Sequence, residues 1–225
     1  MIVILNLYSI QFSFSINKLQ LLNIVLIRNV FSQEIIINAF TFNQYKDLCK
    51  ILFDSGKSTS VDLEYNTTEI LDYVKINLQR MNRVEKTFKM NPTLQEKLSL
   101  LNKKQLWIVL AESWCGDVAQ NIPAINMIAN STTNIELKIL LRDENEVIMN
   151  KYLTNGSKSI PKLISLNPIT FKENWNWGPR PKPAQELVVS MKSKGEDFHI
   201  GVHKWYADDK SNTIQDEILK LISNN

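Results

Sequence analysis

One cysteine stands in the stretch ESWCGDVAQNIP, residues 112–123, between an apolar run and a segment with helical spacing. At such a junction Cys115 meets unpaired backbone N–H groups and the positive end of a helix dipole, both of which favour a thiolate. The thiolate is the nucleophilic form, so this position suits thiol-disulfide exchange or another covalent reaction. Asp117 opposes the trend, because a second negative charge nearby raises a thiol pKa. The other cysteine, Cys49, falls on an apolar face with Phe42, Tyr45, Leu48 and Leu52, which reads as packing. It could resolve a disulfide formed at Cys115 only with its Cα within about 7 Å of the Cys115 Cα. His199 and His203 are four residues apart, as a helical metal pair would be, but no Cys, Asp or Glu stands at a ligand spacing around them. No metal site is expected.

The elements that must position Cys115 can be read from apolar periodicity. Residues 106–111, LWIVLA, and 135–141, IELKILL, are short continuous apolar runs of the kind a strand buried on both faces requires. Between them Val118, Ile122, Ile125 and Ile128 or Ala129 keep a 3.6-residue period, so residues 106–141 form a strand, a helix and a parallel strand. A short helix follows near 146–153 and ends at Asn155-Gly156. Residues 162–166 and 169–175, parted by Asn167-Pro168, read as a hairpin. Residues 183–191 and 213–222 close the chain as helices. Upstream, 41–101 is helical: a break at 56–60 is followed by a long helix opened at Asn66 or Thr67, then a short one with Asn91 as cap and Pro92 at its first position. Arg80, Arg83, Lys86 and Lys89 line one side of the long helix, and such a row reads as a solvated face rather than an anion-binding patch.

Composition narrows the function class. The 225 residues are 44% apolar and 22% charged, as in an ordinary globular protein, with a net charge of +3 too small and dispersed to argue for nucleic acid or an anionic membrane. Two cysteines cannot form a disulfide framework, which suits the cytoplasm. Residues 1–31 are apolar, but Gln11, Asn17, Lys18, Gln20, Asn23, Arg28 and Asn29 interrupt them before a membrane span is reached. The small residues around Ser32 leave a second expectation, export or a periplasmic location, should residues 1–32 act as a signal.

The motifs carry a resemblance. WCGDV, residues 114–118, resembles the active-site turn of the thioredoxin superfamily, Pro123 matches the proline that kinks the following helix, and Ile160-Pro161 matches the segment whose proline is cis and faces the nucleophile. From about Thr41 onward the chain is similar to a bacterial thioredoxin-like group with a helical N-terminal extension, a WCGDxAQN turn, LRDEN at 141–145 and WGPRPxPAQ at 177–185. The resemblance implies an α/β, thioredoxin-like three-layer fold, a central mixed sheet flanked by helices, after an apolar leader (1–40, disordered or signal-like) and a helical extension (41–104); the thioredoxin-like part is 105–225. It implies Cys115 as catalytic nucleophile and Trp114, Gly116, Asp117, Val118, Ile160 and Pro161 around the substrate groove. Val118 stands where a dithiol protein of this kind has its resolving cysteine.

The expectation is a thioredoxin-like protein with a single reactive cysteine, exchanging disulfides through a mixed disulfide that persists until an external thiol arrives. Partners would be protein thiols or disulfides, with glutathione or another thiol as co-reductant and no bound cofactor. Trp177 and Arg180, in the proline-rich loop 176–183, are expected to return to the edge that carries Cys115, as an apolar plate and an anion-binding fork. The competing reading is a redox-inactive thioredoxin-fold module that holds a protein partner.

Overall fold

The computed structural model of the protein describes residues 30–224, so the leader up to residue 29, and with it most of the signal-like segment, lies outside the described residues. The chain runs α1 (Gln33–Asn38), α2 (Phe42–Asp54), a 3-10 turn (Leu63–Asn66), α3 (Thr68–Thr87), α4 (Pro92–Ser99), β1 (Gln105–Ala111), α5 (Gly116–Ala129), β2 (Ile135–Leu141), α6 (Glu146–Lys151), β3 (Lys162–Leu166), β4 (Glu173–Trp177), α7 (Lys182–Ser193), α8 (Phe198–Asp209) and α9 (Asn212–Ser223).

The helix starts follow from local chemistry. Thr41 and Gln44 form a reciprocal capping box at α2, Thr67 caps α3, and Asn91 caps α4 ahead of Pro92. The four strands form one sheet in the order β2-β1-β3-β4. β1 pairs parallel to β2 from Gln105↔Ile135 to Ala111↔Leu141, and antiparallel to β3 from Leu106↔Leu166 to Leu110↔Lys162. Every β1 residue is buried, as its continuous apolar run requires. Phe40 bridges to Ile139 on the free edge of β2 and satisfies part of its unpaired backbone.

Two features differ from the periodicity reading. The last strand is Glu173–Trp177 rather than 169–175, because Asn167 turns the chain: its Oδ1 accepts from the Ile169 and Thr170 N–H groups, both at 2.9 Å, and Phe171 adopts φ +52°. The whole of α8 is an addition, a helix where the sequence reading left a gap. One apolar cluster runs from Phe31 through the helical extension and the sheet to Ile222, so extension and sheet share a core. A smaller cluster, Ala184, Val188, Val202 and Tyr206, holds α8 to α7.

Candidate active site

Cys115 is the N-cap of α5 at the C-terminal end of β1, and it is partly exposed. Its Sγ lies 3.4 Å from the Ile160 carbonyl oxygen, to which the thiol donates, and the Ile160–Pro161 peptide is cis. Cys115 forms part of the wall of a hollow of about 260 Å³ shared with Tyr65, Trp114, Gly116, Asp117, Arg80, Arg180 and His203. Val118, at the fourth position of the turn, is buried in the core.

The expectation of a stabilised thiolate is corrected here. Burial, and next the Asp117 charge, push the Cys115 thiol up to about 12, and the backbone N–H groups of Val118 and Asp117 together with Arg180 only partly offset them. The helix terminus is therefore outweighed by desolvation. Asp117 is itself buried: Arg180 Nη2 approaches its Oδ2 at 2.6 Å, and the Tyr206 hydroxyl donates to its Oδ1 at 2.8 Å. Asn121 Nδ2 donates both to the Asp117 carbonyl and to the Tyr206 hydroxyl, at 2.8 and 3.0 Å, so the motif residues Asp117 and Asn121 fasten α8 to α5.

Arg180 lines the hollow with Cys115, but its fork is engaged by Asp117 and by Gln185 (Nη1 to Oε1, 3.0 Å). Trp177 is corrected. It is 7% exposed, its indole donates to Glu217 Oε2 at 2.6 Å, and it forms no part of the hollow. Its position on the inward-facing register of β4 sends the ring into the core beside α9 rather than onto the site. Ile160 and Pro161 are also buried and outside the hollow's wall. Gly178, at φ +114°, packs so tightly on Pro161 that a Cβ there would stand 2.2 Å from the Pro161 carbonyl oxygen.

The extension supplies the other wall. Tyr65 stacks on Trp114 with centroids 4.3 Å apart and 13° between planes, and Arg142 Cζ lies 4.7 Å from the Trp114 ring. Arg142 also pairs with Asp143, Nε to Oδ1, at 2.6 Å. Behind this stack the buried Glu112 carboxylate accepts from the Thr59 hydroxyl and, at 3.0 Å, from the Asp143 N–H. Ser113 N donates to Thr59 Oγ1 at 2.8 Å and Thr59 N to Ser113 Oγ at 3.0 Å. Burial pushes Glu112 up to about 7 despite these donors.

The basic row on α3 divides. Lys86 and Lys89 are exposed, but Arg80 and Arg83 turn toward α5, which corrects the solvated-face reading for those two. Arg80 donates to Asn77 Oδ1 at 2.8 Å, Asn77 to the Ser113 carbonyl at 2.9 Å, and Arg83 to Gln120 Oε1 at 2.6 Å. Gln120 Nε2 faces His203 Nδ1 at 3.2 Å. Burial, followed by Arg80, His199, Arg83 and Arg180, pushes His203 down to about 4. His199 instead meets Asp197 at 2.7 Å. Cys49 is 1% exposed in the core and pushed up to about 12 by burial; both cysteines are free.

Tyr65, Arg80 and His203 are site residues that the motif does not contain. For His203 a signal existed: Phe198, Val202 and Tyr206 recur at four-residue steps after Asp197, which caps the helix. For Tyr65 and Arg80 only the fold brings them in.

A family model described as thioredoxin matches residues 65–194, a span that begins inside the helical extension. A Pseudomonas aeruginosa protein of unknown function, solved by crystallography, superposes with a TM-score of 0.51 at 18% identity, covering 82% of this chain and 98% of its own. An HIV epitope scaffold superposes with a TM-score of 0.50 at 20% identity, covering 78% and 98%. No curated protein matches the chain.

Proposed function

The chain belongs to the thioredoxin family, and we propose that it performs thiol-disulfide exchange through Cys115 alone. The observation that carries this reading is a partly exposed cysteine capping α5, opening onto a hollow, with the Ile160 carbonyl against its sulfur. In the exchange, Cys115 loses its proton to solvent and its sulfur attacks one sulfur of a partner disulfide. A new S–S bond joins Cys115 to that half, and the other half leaves as a thiolate that takes up a proton. Val118 offers no second sulfur, and Cys49 is buried and does not line the hollow, so release requires an external thiol such as glutathione. Because the thiol is held protonated, the reaction is slow at neutral pH and accelerates with alkali.

The test is direct. Glutathione disulfide at pH 8, followed by non-reducing mass spectrometry, is expected to leave an adduct at Cys115 that dithiothreitol removes. Val118→Cys should convert that adduct into an intramolecular disulfide. If wild type acquires no adduct while small alkylating agents reach Cys115, exchange is overturned. A second reading, a redox-inactive module, is favoured by one observation: the thiol is spent as a donor to Ile160. On that reading Cys115→Ser would retain every partner.

A further inference from the structure

Arg80 and His203 line the hollow together with Cys115 and Gly116. Both close over Gly116, where a Cβ would lie 2.6 Å from His203 Cε1, 2.8 Å from its Nε2 and 3.3 Å from Arg80 Nη1. The proton on His203 can be located by elimination. Arg83 only donates, so its 2.6 Å contact fixes the Gln120 amide with Oε1 toward Arg83 and Nε2 toward His203. That Nε2 donates, so His203 Nδ1 accepts, and the neutral ring carries its proton on Nε2, the nitrogen beside Gly116.

The charge balance points to the same conclusion. The Asp117 carboxylate is engaged by Arg180, and among the described residues no carboxylate lies within ion-pair distance of Arg80 or Arg83. Arg80 is half-buried, and desolvation with the neighbouring Arg83 lowers its pKa against the opposing pull of the Asp117 charge. A guanidinium and a ring N–H lining one small hollow make a receptor for a carboxylate. The hollow, at about 260 Å³, falls below the roughly 300–1,000 Å³ of drug-sized sites, and Tyr65, Tyr73, Trp114 and Phe198 give it apolar walls. That size favours a small molecule over a polypeptide strand.

We propose that Arg80 and His203 form a carboxylate subsite beside Cys115, which selects small acidic thiols and disulfides as exchange partners. This rests on the exchange reading above. The probe is 3,3′-dithiodipropionate, compared with its neutral diamide, which shares the reacting S–S bond. At pH 8 and fixed ionic strength, wild type should form the mixed disulfide at least tenfold faster with the diacid. Arg80→Gln should bring the ratio near one, Arg80→Lys should retain part of the preference, and His203→Phe should reduce it. Lys86→Gln removes one exposed positive charge from the same helix and should leave the ratio unchanged. Binding is read separately in Cys115→Ser, which cannot exchange, by isothermal titration with the same two compounds.

Equal rates in wild type with no preferential binding of the diacid to Cys115→Ser would overturn the subsite and leave exchange standing. Preferential binding in Cys115→Ser that Arg80→Gln abolishes, with no mixed disulfide in wild type, would support the subsite and overturn exchange. A preference that survives Arg80→Gln, or is lost in Lys86→Gln, would also overturn the subsite.

Discussion

Asp117→Asn is the substitution that separates the two forces acting on Cys115. With the thiol pushed up to about 12, far less thiolate is present at pH 8 than the roughly one quarter of an ordinary cysteine. Iodoacetamide labelling of Cys115, quantified by mass spectrometry, should therefore keep rising about tenfold per pH unit through pH 10, with no plateau near 8.5. The neutral amide would remove the nearest like charge and release Arg180 to face the sulfur, so labelling at pH 8 should rise about tenfold for each unit the pKa falls. An unchanged rate would mean that burial alone sets the value. Gly178 is constrained by backbone rather than charge. At φ +114° and with the Pro161 oxygen where a Cβ would go, Gly178→Ala should lower stability by about 2 kcal/mol or more in a urea titration. The chemistry-bearing residues 114–117 were legible because they are contiguous and sit at a strand-helix junction. The state of the sulfur was not, since it depends on how deeply later elements bury it.

Helix α8 is the element that completes the site, and it is held to α5 through a histidine that must stay neutral. His203 is pushed down to about 4, below the ordinary value near 6.5, so its contribution to stability is complete above 6.5 and is lost as pH falls toward 4. The groups facing it reinforce this, because Arg80, Arg83, Arg180 and His199 all repel a proton there. Hydrogen-exchange protection factors of α8 amides should fall across that window while those of β1 hold, and His203→Phe should remove the fall. The segment at Thr59 behaves in the opposite sense. Glu112 is raised from 4.5 to about 7, so its favourable contribution is complete below 4.5 and declines as pH rises through 7. Relative to wild type, Glu112→Gln should gain more in urea midpoint at pH 8 than at pH 5. Strands β1, β2 and β3 were legible to within a residue or so because continuous apolar runs admit few alternatives. Helix α8 was missed although Phe198, Val202 and Tyr206 keep a four-residue step, because only Val202 and Tyr206 are buried along it and Gly201 interrupts it. The displaced β4 was missed because Asn167 spends its side chain on the turn, which strand propensity does not register.

At the scale of the molecule, the extension is part of the domain rather than an arm attached to it. Tyr45 and Cys49 of α2, Met81 and Val84 of α3 and Leu94 and Leu98 of α4 lie in the same apolar cluster as Trp107 of β1 and Ile218 of α9. A division at residue 104 was readable from the change of hydrophobic period, but period reports local structure and says nothing about which faces meet. Sharing one core couples the two parts thermodynamically, since neither can expose its face without the other. Trp107 packs edge-on to Trp175 within the sheet, with centroids 5.2 Å apart, so tryptophan fluorescence includes the sheet, while far-UV circular dichroism reports on the helices of both parts. In urea, the two signals should trace coincident transitions with one midpoint. An earlier loss of ellipticity, with hydrogen exchange locating it in α2 and α3, would mean that the extension leaves first, and Tyr65 and Arg80 would leave the site with it. The hollow beside Cys115 would then exist only while the extension is docked, and its selectivity would vanish before the fold does.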